Sequence, residues 1–226
     1  MPPVGIIGWG HYAPERVITN SDLEKTLGIP AETILEITGI RERRIASPEE
    51  ATSDLAAQAG KRALEIAGVS PDEVDLILVC TTTPDAIGPS TASVVQARLQ
   101  AQRAAACDLS AACSGFVYGL VFGAQMIASG LYRKVLVIAS DVLSRITDET
   151  DSDTAILFGD GAGAALLGEV PEGYGLLGCD LGSDGAGFDV IKVPAGGSRL
   201  PPSADTVANR LHYTTMNGSQ VFVFAM

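Results

Sequence analysis

The chain has 226 residues, enough for one large domain or two small ones, and 46% hydrophobic content supports a substantial core. Its 15 Lys and Arg face 27 Asp and Glu, a formal charge of −12. That excludes general binding to nucleic acid or to an anionic membrane surface unless a local basic cluster provides it. The four cysteines, Cys80, Cys107, Cys113 and Cys179, show no CxxC or Cys/His metal spacing, and Met1-Pro2-Pro3 opens no secretory signal. Free thiols in a reducing cytoplasm are expected, with no disulfide and no metal.

In chain order, Val4 to Ile7 reads as a short buried strand. Gly8-Trp9-Gly10-His11-Tyr12-Ala13 spells a dinucleotide fingerprint, but Pro14 stands where a helix should begin, so the segment is expected to be a turn. Ser21-x-x-Glu24 is a capping-box spelling for a helix through Leu27. Pro30 starts a second helix with Ile34, Leu35 and Ile37 on its apolar side, closed by Gly39. Arg41-Glu42-Arg43-Arg44 is the densest positive charge, read as a solvated strand or as a site for phosphate or an acidic partner. Ser53 to Ala67 is a helix ended by Gly68, and Val74 to Cys80 a central buried strand followed by a threonine-rich loop. Ser90 caps a helix to about Leu99.

Ala104 to Leu109 suits a buried strand running into a turn. From Phe116 to Ala128 almost no polar face remains, so that helix is expected to be buried all round, with Gly115, Gly119 and Gly123 along one side admitting another backbone. Cys113 falls between the two elements. A cysteine in the first turn of a helix feels the positive end of its dipole, which favours the nucleophilic thiolate; a small buried hydrophobe is the competing reading, and placement alone leaves both open. Leu109 to Tyr132 carries no charge and is long enough to span a bilayer, but serines, Gln125 and glycines dilute it, so no membrane association is expected.

Lys134 to Ala139 is another apolar strand. Alternating strands and helices imply a parallel or mixed sheet covered on both faces. Ser144 to Asp153 is acidic and irregular, a solvated loop rather than a metal loop. Phe158 to Leu167 has glycines leading into a strand, Tyr174 to Leu181 reads as a further strand, and Met216 to Met226 as the opening of an apolar helix that stops in mid-run.

Several segments together resemble β-ketoacyl-acyl carrier protein synthase III, of the thiolase-like condensing enzymes: Thr38 to Ala46, Asp108 to Phe116, Ser140 to Arg145, Phe158 to Leu167 and Met216 to Phe222. The resemblance implies an α/β thiolase-like fold: a half over residues 1–168, with a mixed five-stranded sheet covered by helices, and the opening of a second, pseudo-equivalent half over 169–226. It implies an acyltransferase of fatty acid synthesis, in which Cys113 takes an acyl group and malonyl on acyl carrier protein then decarboxylates and attacks it. No cofactor is implied, since acyl-coenzyme A or carrier-protein thioesters are substrates. Acyl carrier protein and acyl-coenzyme A are the implied partners, with a homodimer as the assembly. The family His and Asn for decarboxylation match neither His11 nor His212, so a fragment of a longer enzyme is expected.

The resemblance also places substrate residues. Thr38, Met216 and Phe222 match pantetheine-channel positions. Thr33 and Ile37 stand where the family has a Trp and an Arg, and Ser152 where it has another Arg, so weakened adenine stacking or a carrier-delivered primer is expected. Gly88 replaces a pocket-closing Phe, implying room for a longer or branched primer. A non-catalytic partner subunit, a hydroxymethylglutaryl-coenzyme A synthase and a polyketide synthase are the alternatives.

Overall fold

The computed structural model describes residues 3–226. In chain order it contains β1 (Val4–Tyr12), β2 (Arg16–Thr19), α1 (Asn20–Leu27), α2 (Ala31–Thr38), β3 (Glu42–Ile45), α3 (Thr52–Ala67), β4 (Leu76–Cys80), α4 (Thr91–Leu99), β5 (Ala105–Leu109), α5 (Gly115–Ala128), β6 (Val135–Val142), α6 (Ser152–Ala155) and β7 (Asp160–Glu169). Then follow β8 (Ile191–Lys192), α7 (Ala204–Ala208), β9 (Thr215–Met216) and α8 (Gly218–Ala225). The chain divides into two compact units: Met1–Pro14, Ala46–Asp141 and Asp160–Leu181 form the first, and Glu15–Ile45, Val142–Gly159 and Gly182–Met226 the second.

The first unit is built on a five-stranded sheet in the order β1-β7-β6-β4-β5. It is mixed: β4 runs parallel to both β5 and β6, while β1 pairs antiparallel with β7. Leu76 to Cys80 is buried at every position because the pleat sends alternate side chains to two covered faces. Ile77 and Val79 meet Ala59 and Ala63 of α3 and Val95 of α4 on one face. Leu76, Leu78 and Cys80 meet Ala124 and Ile127 of α5 on the other.

Gly8 to Tyr12 is not a turn; β1 continues through it. A Cβ on Gly8 would collide with the Ala63 carbonyl, and one on Gly10 with that of Ala59. The glycines let an α3 backbone lie directly on the strand, a contact between distant segments that no local pattern reveals. The expected strand at Tyr174 to Leu181 is not formed: Gly173 and Gly175 turn left-handed at φ 90° and 113°, and the Leu176 N–H donates to the Val4 carbonyl at 2.8 Å.

In the second unit β2 pairs antiparallel with β3, and Leu23, Ile34 and Ile156 form a small core. Thr19, not Ser21, caps α1, with Asp22 completing the box. Glu24 instead accepts from the Ala31 N–H at 3.2 Å and so caps the next helix. Only Ile34 of α2 is fully buried; Leu35 and Ile37 are exposed. Arg43 is no solvated side chain: it is buried, donates to the Asn20 side-chain oxygen and the Ile156 carbonyl, and burial pushes its pKa down. It is therefore unavailable to an acidic partner.

Candidate active site

β5 ends at Leu109, and four residues later the chain presents Cys113. Asp108 faces back from the strand, its two oxygens accepting from the Thr91 and Ala92 N–H groups at 2.8 and 2.7 Å, so it caps α4. The turn is tight. Ser114 N–H and hydroxyl both donate to the Ala111 carbonyl, and Ala112 is held at φ 46°, a left-handed conformation that costs a residue with a Cβ roughly 1 kcal/mol or more. Cys113 sits in the single 3-10 turn Ala112–Ser114 immediately before α5, and it is exposed. The buried-hydrophobe reading does not hold for it.

That reading belongs to Cys80 instead. Cys80 is buried, and desolvation pushes its thiol up to about 12. Partial desolvation of its sulfur also raises Cys107, a residue at the sheet edge that is otherwise exposed.

The helix behind Cys113 is not buried all round: Val117, Phe122 and Met126 are exposed. Its glycine row does not receive another backbone. A Cβ on Gly119 would lie 2.7 Å from Cys80 Sγ and from Val137 Cγ1, and one on Gly123 2.9 Å from Leu167 Cδ1. The row seats α5 on the side chains of the sheet.

At the neighbouring strand ends lies a cluster that a reading of local pattern missed. Asp141, closing β6, accepts through Oδ1 from Thr81, Thr82 and Thr83 after β4. The available signal was an acid just past one apolar strand and a threonine triplet just past another. The loop continues to Gly88, which is exposed, has open space where a Cβ would be, and joins Pro89 by a cis peptide bond; Ile87 beside it is 97% exposed.

In the second unit, Ile37, Met216 and Phe222 come together around a pocket of about 630 Å³, with Asp153, Ile156 and Leu157. Thr33, Thr38 and Ser152 do not line it. Thr38 closes α2, donating from its hydroxyl to the Ile34 carbonyl at 2.7 Å and accepting from the Ile40 N–H at 3.0 Å. Ser152 opens α6 behind the Asp151 cap, and Thr33 is half-buried in α2. His212 packs on Tyr213 with its Nδ1 buried and unpartnered, and His11 stacks on Trp9. Among the described residues no group of three or more His, Cys, Asp or Glu could hold a metal, and no helix is long and apolar enough to cross a membrane.

A mixed sheet with α3 and α4 on one face and α5 on the other, together with the architecture of related solved structures, defines a thiolase-like α/β fold. The family model for 3-oxoacyl-[acyl-carrier-protein] synthase III matches residues 107–185. The β-ketoacyl-[acyl-carrier-protein] synthase III of Caldanaerobacter subterraneus is 53% identical over 98% of this chain and 67% of its own length. That of Symbiobacterium thermophilum is 54% identical over 99% and 68%. The crystal structure of the Thermus thermophilus synthase III superposes with TM-score 0.89 at 43% identity, covering 98% of this chain and 67% of the other. The chain belongs to the 3-oxoacyl-[acyl-carrier-protein] synthase III family. It spans about two thirds of the length of these relatives.

Proposed function

We propose that this chain acts as a priming condensing enzyme, with Cys113 as its acyl acceptor. The observation that carries the reading is the exposed thiol held on a strained turn between a parallel strand and the N-terminus of α5. Cys113 Sγ adds to the carbonyl of an acyl thioester, and the carrier thiol leaves, taking up a proton. The Cys113 N–H is the proposed donor to the oxyanion formed on the way. In the second step malonyl on acyl carrier protein loses carbon dioxide, and the resulting carbanion displaces the cysteine to give the β-ketoacyl product. The His and Asn that the family resemblance implies for that step correspond to neither His11 nor His212, so acylation is the half-reaction these residues support.

For substrate delivery we infer a weak grip on coenzyme A or a primer brought by carrier protein. Supporting this, the pocket around Ile37, Met216 and Phe222 has the Asp153 carboxylate and no cation among its lining residues, an unfavourable setting for adenine stacking on an Arg or for a nucleotide phosphate. The open space at Gly88 supports a longer or branched primer. The homodimer is supported by β5, a sheet edge beside a pocket of about 510 Å³ lined by Leu76, Cys107, Phe122, Met126, Leu131 and Tyr132. Exposed free thiols at Cys107, Cys113 and Cys179 favour a cytoplasmic setting. A boundary near residue 168 is supported by β7, the last strand of the five-stranded sheet in chain order, which ends at Glu169.

The deciding experiment is incubation with radiolabelled acyl thioesters, alongside Cys113→Ala. Label confined to Cys113 and absent from the variant supports the reading. An unlabelled wild-type protein favours a non-catalytic subunit.

A further inference from the structure

The turn after β4 is held from outside itself. The hydroxyls of Thr81, Thr82 and Thr83 lie 3.0, 3.0 and 2.9 Å from Asp141 Oδ1, and the N–H groups of Thr82 and Thr83 lie 2.8 and 3.1 Å from the same atom. One carboxylate oxygen has about two lone-pair sites, so five donors within reach of it share the acceptor, and Asp141 is the common anchor of the turn. A charged acceptor also makes each bond stronger than a neutral one would. Thr81 is the buried member, and its N–H donates to the Leu109 carbonyl at 3.2 Å. The link therefore runs from the end of β6 through the end of β4 to the end of β5, and from Leu109 the chain goes straight into the Cys113 turn. Cys80, just before Thr81, is the residue on which Gly115 and Gly119 of α5 are seated. In the other direction, the Thr83 carbonyl accepts from the Thr52 hydroxyl at 2.5 Å and Asp85 Oδ1 accepts from the Ser53 N–H at 2.9 Å, which ties the same turn to the start of α3 and of the Gly88 loop.

We propose that Asp141 is a positioning residue for acyl transfer: by gathering the Thr81–Thr83 turn, it fixes the Cys113 turn relative to the loop that carries Gly88. The inference rests on Cys113 being the acyl acceptor. Thioester attack needs the sulfur and the carbonyl in near-attack geometry, where a displacement of about 1 Å costs on the order of a hundredfold in rate. Asp141 touches no substrate in this role and acts through Thr81 and the strand ends.

The test compares the protein with Asp141→Ala and with Asp141→Asn, which keeps an acceptor oxygen without the charge. Acetyl- and isobutyryl-N-acetylcysteamine are the acyl donors, and single-turnover acylation of Cys113 is followed by intact mass. Alkylation of Cys113 by iodoacetamide serves as control, since it needs an accessible thiol but no positioned carbonyl. Asp141→Ala is expected to acylate about tenfold or more slowly while alkylating within about twofold of wild type, with Asp141→Asn between the two. Acylation of Asp141→Ala at the wild-type rate overturns the proposal, as does a parallel loss of acylation and alkylation in a folded variant. Should Asp141→Ala not fold, Asp141→Asn carries the same comparison, with slowed acylation at unchanged alkylation in support and unchanged or parallel behaviour against. A wild-type protein that takes no acyl group overturns the acyl-transfer reading and the positioning role together, a result distinct from a wild type and variant that acylate alike.

Discussion

Gly119 of α5 lies over Cys80 of β4 so closely that a methyl group on the glycine would stand 2.7 Å from the buried sulfur. The helix that starts at the Cys113 turn is thus seated on the sheet by the absence of a side chain.

Gly119→Ala is expected to destabilise the protein. Alanine gains up to about 1 kcal/mol in helix propensity, but overpacking against Cys80 and Val137, both buried, costs about 1–3 kcal/mol. Gly115→Ala, whose Cβ would meet Cys80 Cβ at 3.3 Å, is expected to cost less. Urea denaturation of the two variants checks the order; equal midpoints would contradict it.

Cys80 and Cys113 are expected to separate in alkylation. With its thiol pushed up to about 12, Cys80 is protonated at pH 8 and shielded by α5, whereas Cys113 is open to reagent. Peptide mapping after brief iodoacetamide treatment should find Cys113 modified and Cys80 modified only after unfolding. Labelling of Cys80 in the native protein would refute the packing described.

Acid should weaken the tie between Asp148 and Arg210. The Arg210 guanidinium, donating at 2.5–2.8 Å, holds the Asp148 carboxyl at about 2, below its ordinary 3.8. The folded chain binds this proton less readily than the unfolded one, so the stabilisation is complete above the ordinary value and is lost as pH falls from there through about 2. Arg210 is half exposed, so solvent screens the pair and its contribution is small. Comparing Arg210→Ala with wild type at pH 7 and at pH 2 should show a stability difference that shrinks in acid; a difference that persists would count against the pair.

Ala112→Gly is expected to stabilise the Cys113 turn modestly. Glycine removes the penalty of φ 46°, and the added freedom of the unfolded chain offsets part of the gain, leaving less than about 1 kcal/mol. A lowered Tm would show that Ala112 makes contacts outweighing its backbone strain.

Much of the fold was legible along the chain. Leu76 to Cys80 and the apolar run of β6 are short and continuous, and a strand covered on both faces needs no more than that to announce itself. Gly28, Gly39 and Gly68 each end a helix in the left-handed conformation, a local requirement that leaves a local mark. The cysteine between strand and helix stood out for the same reason, and the order of five short segments carried the family.

By itself, then, the sequence determined the central apolar strands, most of the longer helices, where several of those helices stop, and which thiol stands at an element boundary, because each depends on neighbours within a turn or two. Only the tertiary structure decided that Gly8 and Gly10 lie inside a strand, that Arg43 is buried beside Asn20, that β5 is an edge, and that Asp141 meets threonines 58 to 60 residues earlier in the chain. Those outcomes depend on which surfaces the folded chain brings into contact, and a pairing between distant residues leaves no periodic trace in either partner.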